Sequence, residues 1–437
     1  MKWSKFSKIL CVLTLVLLFG KTDAVFAAAT NTINPADTVW MLVSTALVML
    51  MTPGLALFYG GMVRKKNTLG TIVQSFTALG VVTIVWVLWG YSLSFSPDFG
   101  GHGLIGGLSW VGLKGVGLEP SAYAPTIPHQ LFMLFQMMFA IITPALITGA
   151  IAERMKFKSY LIFLVLWITF VYSPIAHWVW GGGWIAKKLG ALDFAGGLVV
   201  HISSGVSALA ACLLIGKRKG YGNVPLPPYN LTMTLLGAGV LWFGWFGFNA
   251  GSALAANGLA VSAFATTQIA TAVAAFSWMI IEWAHRKKPT ALGIASGAVA
   301  GLVAITPAAG FVQPLPAMII GFMAGIICYV FVSIIKPKLG YDDSLDAFGV
   351  HGIGGMWGAL ATGLFATKLI NPAGANGFFY GNPSLLIGQF ISIVVTVVYA
   401  FVVSSILLKL IDMVIGLRIT ADEELQGLDL SQHGEKI

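Results

Sequence analysis

The stretch Gly197-Leu198-Val199-Val200-His201-Ile202-Ser203-Ser204-Gly205 returns in altered form as Phe348-Gly349-Val350-His351-Gly352-Ile353-Gly354-Gly355. Both contain the phrase Val-His-x-x-x-Gly, and both sit inside long apolar runs in opposite halves of the chain. An ionisable side chain at membrane depth is costly and by default marks a route for ions or protons. This pair of histidines is therefore the first candidate for a functional site.

The surroundings are those of a bilayer. With 57% hydrophobic and only 9% charged residues and a mean hydropathy of +0.86, the chain cannot clothe a water-exposed globule. It reads as an all-α polytopic membrane protein. Segments long enough to cross about 30 Å of hydrocarbon fall near 36–58, 69–95, 127–151, 157–179, 194–216, 231–252, 259–283, 290–309, 314–335, 345–368 and 384–411. The eighth is the least regular, because Gly293, Gly297, Gly301 and Pro307 interrupt it. Residues 1–29 have the basic start, short apolar core and small-residue end of a secretory signal peptide. The transmembrane domain is then 30–416, and 417–437 forms a tail.

The net charge of +9 does not imply a nucleic-acid partner, because the basic residues lie in short clusters between apolar spans. Arg64 to Lys66, Arg154 with Lys156 and Lys158, Lys217 to Lys219, Arg286 to Lys288, and Lys336 with Lys338 occupy alternate connections. The intervening ones hold only Lys114, Lys187, Lys188 and Lys368. Positive residues stay cytoplasmic, so this alternation predicts a multi-pass protein of the inner membrane, mature N-terminus outside and tail inside. It also requires an odd number of spans.

Eleven spans contain an inverted five-helix repeat, since five is odd and the second unit must enter from the opposite side. Two correspondences support it: the histidine phrase in spans five and ten, and Gly54, Phe58, Gly61 against Gly244, Phe248, Gly251 in spans one and six. His201 and His351 then lie about seven and six residues from opposite faces, each roughly 10 Å deep, and are expected to meet near the midplane. Burial favours neutral imidazoles, each with one donor and one acceptor nitrogen. No Cys, Asp or Glu neighbours them at ligand spacing, so neither a metal nor another cofactor is expected. Phe135 and Phe139 share one face of span three, and Trp245, Phe248 and Ser252 one face of span six. Spacing alone leaves these stripes open between packing and a site.

The run from Trp180-Gly181-Gly182-Gly183 to Asp193-Phe194-Ala195-Gly196-Gly197 and His201 resembles the signature of the ammonium transporter (Amt) family. So do Gly244-Trp245-Phe246-Gly247-Phe248-Asn249-Ala250-Gly251-Ser252, Phe348-Gly349-Val350-His351-Gly352, and Gly427-Leu428-Asp429 to Gln432-His433-Gly434-Glu435. The resemblance implies an eleven-helix protomer, a homotrimer with one pore per subunit, and transport of ammonium or ammonia rather than catalysis. It places Phe135, Trp180 and Ser252 at an outer ammonium site, Phe139 and Phe248 at a gate, and His201 with His351 in the pore. Asp193 is implied as a supporting carboxylate, suited to a helix N-cap, and Trp245 as wall. The tail is implied to meet a PII signal protein. An ammonium sensor and a Rhesus-type gas channel share these expectations. A membrane enzyme is disfavoured, because no nucleophile or phosphate loop accompanies the histidines.

Overall fold

The computed structural model describes residues 32–437, so the expected signal peptide at 1–29 lies outside the described residues. Eleven membrane helices follow one another among those residues. They are α1 (Pro35–Met62), α2 (Lys65–Phe95), α3 (His129–Ile151), α4 (Phe157–Val179), α5 (Gly197–Ile215), α6 (Leu231–Gly251), α7 (Gly258–Arg286), α8 (Ala291–Ile305), α9 (Pro314–Leu339), α10 (348–365) and α11 (Pro383–Ile415). Two short tail helices, α12 (Ala421–Gln426) and α13 (Leu428–His433), complete the chain. A small antiparallel hairpin, β1 (Pro120–Ser121) and β2 (Ala124–Pro128), sits between α2 and α3.

Local chemistry accounts for four of the helix starts. Asn34, Asn230, Asn257 and Thr290 each accept a backbone N–H of the first turn, at the starts of α1, α6, α7 and α8. The irregular eighth span proves to be a helix of only 15 residues, ending two residues before Pro307. Thr306 keeps helical dihedrals and its N–H turns to the Val303 carbonyl, but Pro307 has no N–H with which to continue the hydrogen-bond ladder, so the helix stops there.

Burial sorts the helices into layers. The apolar windows of α3 and α5 are 89% and 83% buried, against 33% for α9 and 39% for α11, so the former are central and the latter face lipid. Helices α1 and α6 cross where glycines let the backbones touch. A side chain on Gly54 would meet Val240 and Leu241, and one on Gly244 would meet Leu47 and Met51. Small residues permit such approach in lipid, where no hydrophobic effect drives helices together. The repeat-related helices thus pack against each other.

One face of the bundle gathers the basic connections. Arg64 pairs with Glu153 at 2.5 Å, and Arg218 holds both Glu153 at 3.8 Å and Asp342 at 2.8 Å. Fully buried Arg154 donates to Ser344 and to the carbonyls of Gly216 and Asp342. Burial alone pushes the Glu153 carboxyl up, but Arg64 and Arg218 hold it below its ordinary range. A lowered carboxyl stabilises the fold at neutral pH and loses that contribution as pH falls through its folded value.

The tail folds onto the same face. Asp429 accepts the Gly70 N–H at the start of α2, Leu428 N–H donates to Asn67, and Arg418 pairs with Glu424 at 2.8 Å. Removing one partner of a buried ion pair costs about 3–5 kcal/mol. Glu153→Ala is therefore expected to lower the apparent Tm in detergent clearly at neutral pH and less in acid. An unchanged Tm would show that the cluster contributes nothing.

Candidate functional site

Both histidines are buried and in contact. His201 Nδ1 and His351 Nδ1 lie 3.3 Å apart, with ring centroids at 5.4 Å and planes inclined by 20°. Neither nitrogen can donate without the other accepting, so a single proton lies between them. The ring that donates from Nδ1 keeps a bare Nε2, and the other carries Nε2–H. The pair thus offers one acceptor and one donor to a passing molecule. His201 Nε2 has no protein partner among the described residues, and a narrow apolar cavity lies against both rings, lined also by Leu55, Ile142, Leu146, Trp245 and Phe248.

The two supporting segments are built alike. Gly205 of α5 lies against the backbone of His351 and Gly352, and Gly355 of α10 lies against His201, whose Cβ is 3.0 Å from where a glycine substituent would sit. Each glycine of the Val-His-x-x-x-Gly phrase therefore receives the other phrase's histidine. This reciprocity is the inverted repeat expressed as packing.

One expectation needs correction. The histidines sit four and three residues after the starts of α5 and α10, not seven and six residues into long spans. The chain before each helix is non-helical, and each opens with a wide π-helical turn that carries the histidine. Starts of this kind need partners for their free N–H groups. Asp193 supplies them for α5, accepting from Gly196, Gly197, Leu198 and Val199 at 2.6–3.3 Å. Its oxygens are committed to the backbone, which makes it an anchor for the turn that holds His201.

Asp343 does the same for α10, accepting from Ala347 at 3.0 Å and Phe348 at 2.8 Å. Reading the histidine phrase alone misses this residue. The signal was present, because Asp343 precedes His351 by eight positions as Asp193 precedes His201. Extending the repeat comparison toward the N-terminus reveals it.

Aromatic rings continue from the histidines toward the face opposite the basic connections. His201 stacks on Trp245 at 5.4 Å and on Phe248 at 6.1 Å. Phe248 meets Phe139 at 4.2 Å, and Phe139 meets both Phe135 at 4.9 Å and Trp180 at 5.9 Å, the last edge to face at 89°. Phe135 packs on Gly251, 2.9 Å from where a Cβ would lie, which puts it beside Ser252. The Ser252 hydroxyl donates to the Phe248 carbonyl at 2.8 Å and keeps its lone pairs. Trp180 is partly exposed, and its indole N–H is held by the Asp193 carbonyl at 2.9 Å. Trp245 likewise gives its N–H to Thr306 at 2.9 Å and serves as wall. All nine residues named from the sequence thus form one connected array.

No group of three or more His, Cys, Asp or Glu side chains suited to a metal occurs among the described residues. Leaving a buried N–H without an acceptor costs about 1–3 kcal/mol. Asp193→Ala strands four such groups and Asp343→Ala two. Both are expected to lower the apparent Tm, the first more than the second. The reverse order, measured by thermal shift, would contradict the anchoring role.

The profile of the Ammonium Transporter Family matches residues 39–437. The ammonium transporter of Bacillus subtilis (strain 168) is 56% identical over 400 residues, covering 92% of this chain and 98% of that protein. The crystal structure of Saccharomyces cerevisiae Mep2 aligns with a TM-score of 0.84 at 38% identity, over 90% of this chain and 89% of that one. A structure described as a sensor Amt protein aligns with a TM-score of 0.84 at 30% identity, over 91% and 98% of the two chains.

Proposed function

Because the chain belongs to the Ammonium Transporter Family, we propose that it recruits ammonium at an outer aromatic site, removes a proton, and conducts ammonia past a phenyl gate and the histidine pair. The observation that carries this reading is the 3.3 Å contact between two buried imidazoles beneath a contacting pair of phenyl rings.

Desolvation is the governing cost. An isolated cation in a low-dielectric pore costs tens of kcal/mol by Born estimates, so it must be compensated or lose its charge. The faces of Trp180 and Phe135 supply cation-π attraction of about 2 kcal/mol when desolvated, and Ser252 supplies a hydroxyl acceptor. That collects the ion at the mouth but does not carry it across. Phe139 and Phe248 occlude the way below, and a neutral molecule passes them at far lower cost. Ammonia then finds an acceptor and a donor on the histidine pair, while the imidazoles, each able to take a proton on one ring nitrogen as it releases one from the other, relay the proton separately. Potassium and sodium have no proton to shed, so selectivity is chemical as well as steric.

The alternation of basic clusters supports an inner-membrane orientation with the mature N-terminus outside and the tail cytoplasmic. Membership of the family supports a homotrimer with one pore per subunit. The docked tail, 417–437, is the surface for a PII signal protein. Pull-down by full-length and tail-truncated protein tests this assignment, which fails if both capture PII equally.

One structural neighbour described as a sensor motivates a second reading, in which ammonium binds without flux. Solid-supported-membrane currents after an ammonium pulse separate the two. The transport reading expects ammonium currents from the wild type and none with potassium, and a His201→Ala, His351→Ala double variant that admits potassium. Retained discrimination in that variant would overturn the histidine mechanism.

A further inference from the structure

His177 is a buried ionisable side chain outside the array just described, one helical turn before Trp180 on α4. Its Nδ1 lies 3.1 Å from the Ser94 carbonyl oxygen and its Nε2 lies 3.0 Å from Asp98 Oδ1. A carbonyl oxygen only accepts, so Nδ1 must carry a proton. A neutral imidazole then turns a bare Nε2 toward a carboxylate, which is repulsive. The contact closes only when a second proton is present, shared between His177 and Asp98.

The surrounding contacts connect this pair to the outer site. Gly183 N–H donates to the His177 carbonyl at 2.8 Å, and Trp180 N–H to the Ala176 carbonyl at 2.8 Å. Tyr123 hydroxyl reaches the carbonyls of Phe95 at 2.7 Å and Gly181 at 3.3 Å. Trp178 indole donates to the Leu104 carbonyl at 2.7 Å. The turn that presents Trp180 is thus tied to the connection after α2, and the ionic part of that tie is His177 with Asp98.

The groups facing the pair are few. From the connection after α2 comes Asp98, whose side chain is 15% exposed, while that of His177 is fully buried. From the hairpin comes Tyr123, kept neutral because burial pushes its hydroxyl up to about 12. Lys187, after α4, reaches toward Gly182, on the far side of Gly181. Burial raises the Asp98 carboxyl, but the Gly103 amide and His177 together bring it below its ordinary range.

We propose that His177 and Asp98 form a proton-dependent latch that positions Trp180 for ammonium, closed when the pair holds its second proton and released when that proton is lost to the outer medium. His177 is a positioning residue in this scheme and does not touch the ion. The sign follows from linkage: the closed latch holds one more proton than the open one, so raising the outer pH can only favour release. The proposal rests on the reading of Trp180 as part of the outer site.

The test is the apparent KM for ammonium from solid-supported-membrane currents, with outer pH varied from about 6 to about 9. Asp98→Asn is the informative variant, because its amide donates to a bare Nε2 while Nδ1–H still donates to Ser94. That keeps the latch closed without the extra proton. A charge-assisted hydrogen bond is worth enough that its loss is expected to raise the wild-type KM about 10-fold across this range. Asp98→Asn should remove most of that rise, and His177→Ala should raise KM at every pH while the maximal current persists. The ammonium-to-ammonia ratio changes identically for all the proteins, so the difference between them isolates the latch. Matching pH profiles for wild type and Asp98→Asn would overturn the proposal while leaving transport intact. A wild type without ammonium current would overturn the transport reading, and the latch with it. Size-exclusion profiles confirm that each variant is folded, and Asp98→Asn decides the matter if His177→Ala is not.

Discussion

Two neutral imidazoles sharing one proton inside an apolar interior set the terms for everything around them. For Nδ1 to meet Nδ1 at 3.3 Å, the backbones of α5 and α10 must touch, and only residues without side chains allow it at Gly205 and Gly355. Each ring reaches the other from the first turn of its helix. First turns carry N–H groups without helical partners, and in an apolar interior these cannot be left to water. Asp193 and Asp343 are the consequence. The chain of requirements runs from a hydrogen bond to a helix start to a carboxylate, once in each half of the molecule.

Much of this was legible before any coordinates. Membrane spans announce themselves, because some twenty apolar residues have few alternatives to a helix in lipid. The basic clusters do so as well, and the structure brings Arg64, Arg154 and Arg218 together on one face. The array of Phe135, Phe139, Trp180, His201, Trp245, Phe248, Ser252 and His351 with its Asp193 anchor was named residue by residue from motif resemblance, and its members touch.

What sequence could not show was where α5, α8 and α10 begin and end. Hydropathy does not distinguish a helix from an apolar loop buried among other helices, and Phe194-Ala195-Gly196 scores like the helix it precedes. Hydrogen bonding draws that boundary, through a side chain several residues away. His177 escaped notice for a related reason. Its significance lies in Ser94 and Asp98, 83 and 79 positions distant, and no local spacing encodes such a pairing.

The electrostatic character of the proposed route follows from where the strong donors are spent. Trp180 and Trp245 both lie along it, and an indole N–H turned inward would repel a cation; instead each is bonded away from the route, to Asp193 and to Thr306. What remains is the negative faces of aromatic rings and a serine hydroxyl whose proton is already committed to the Phe248 carbonyl. On the basic face, guanidinium groups that would oppose a departing cation are matched by carboxylates, Arg64 by Glu153 and Arg218 by Asp342. A lining built this way attracts positive charge at its mouth without a full negative charge that would trap it. In the proposed mechanism the ion is held weakly enough to surrender a proton, and the neutral product then meets its first donor and acceptor in a single place, the histidine pair.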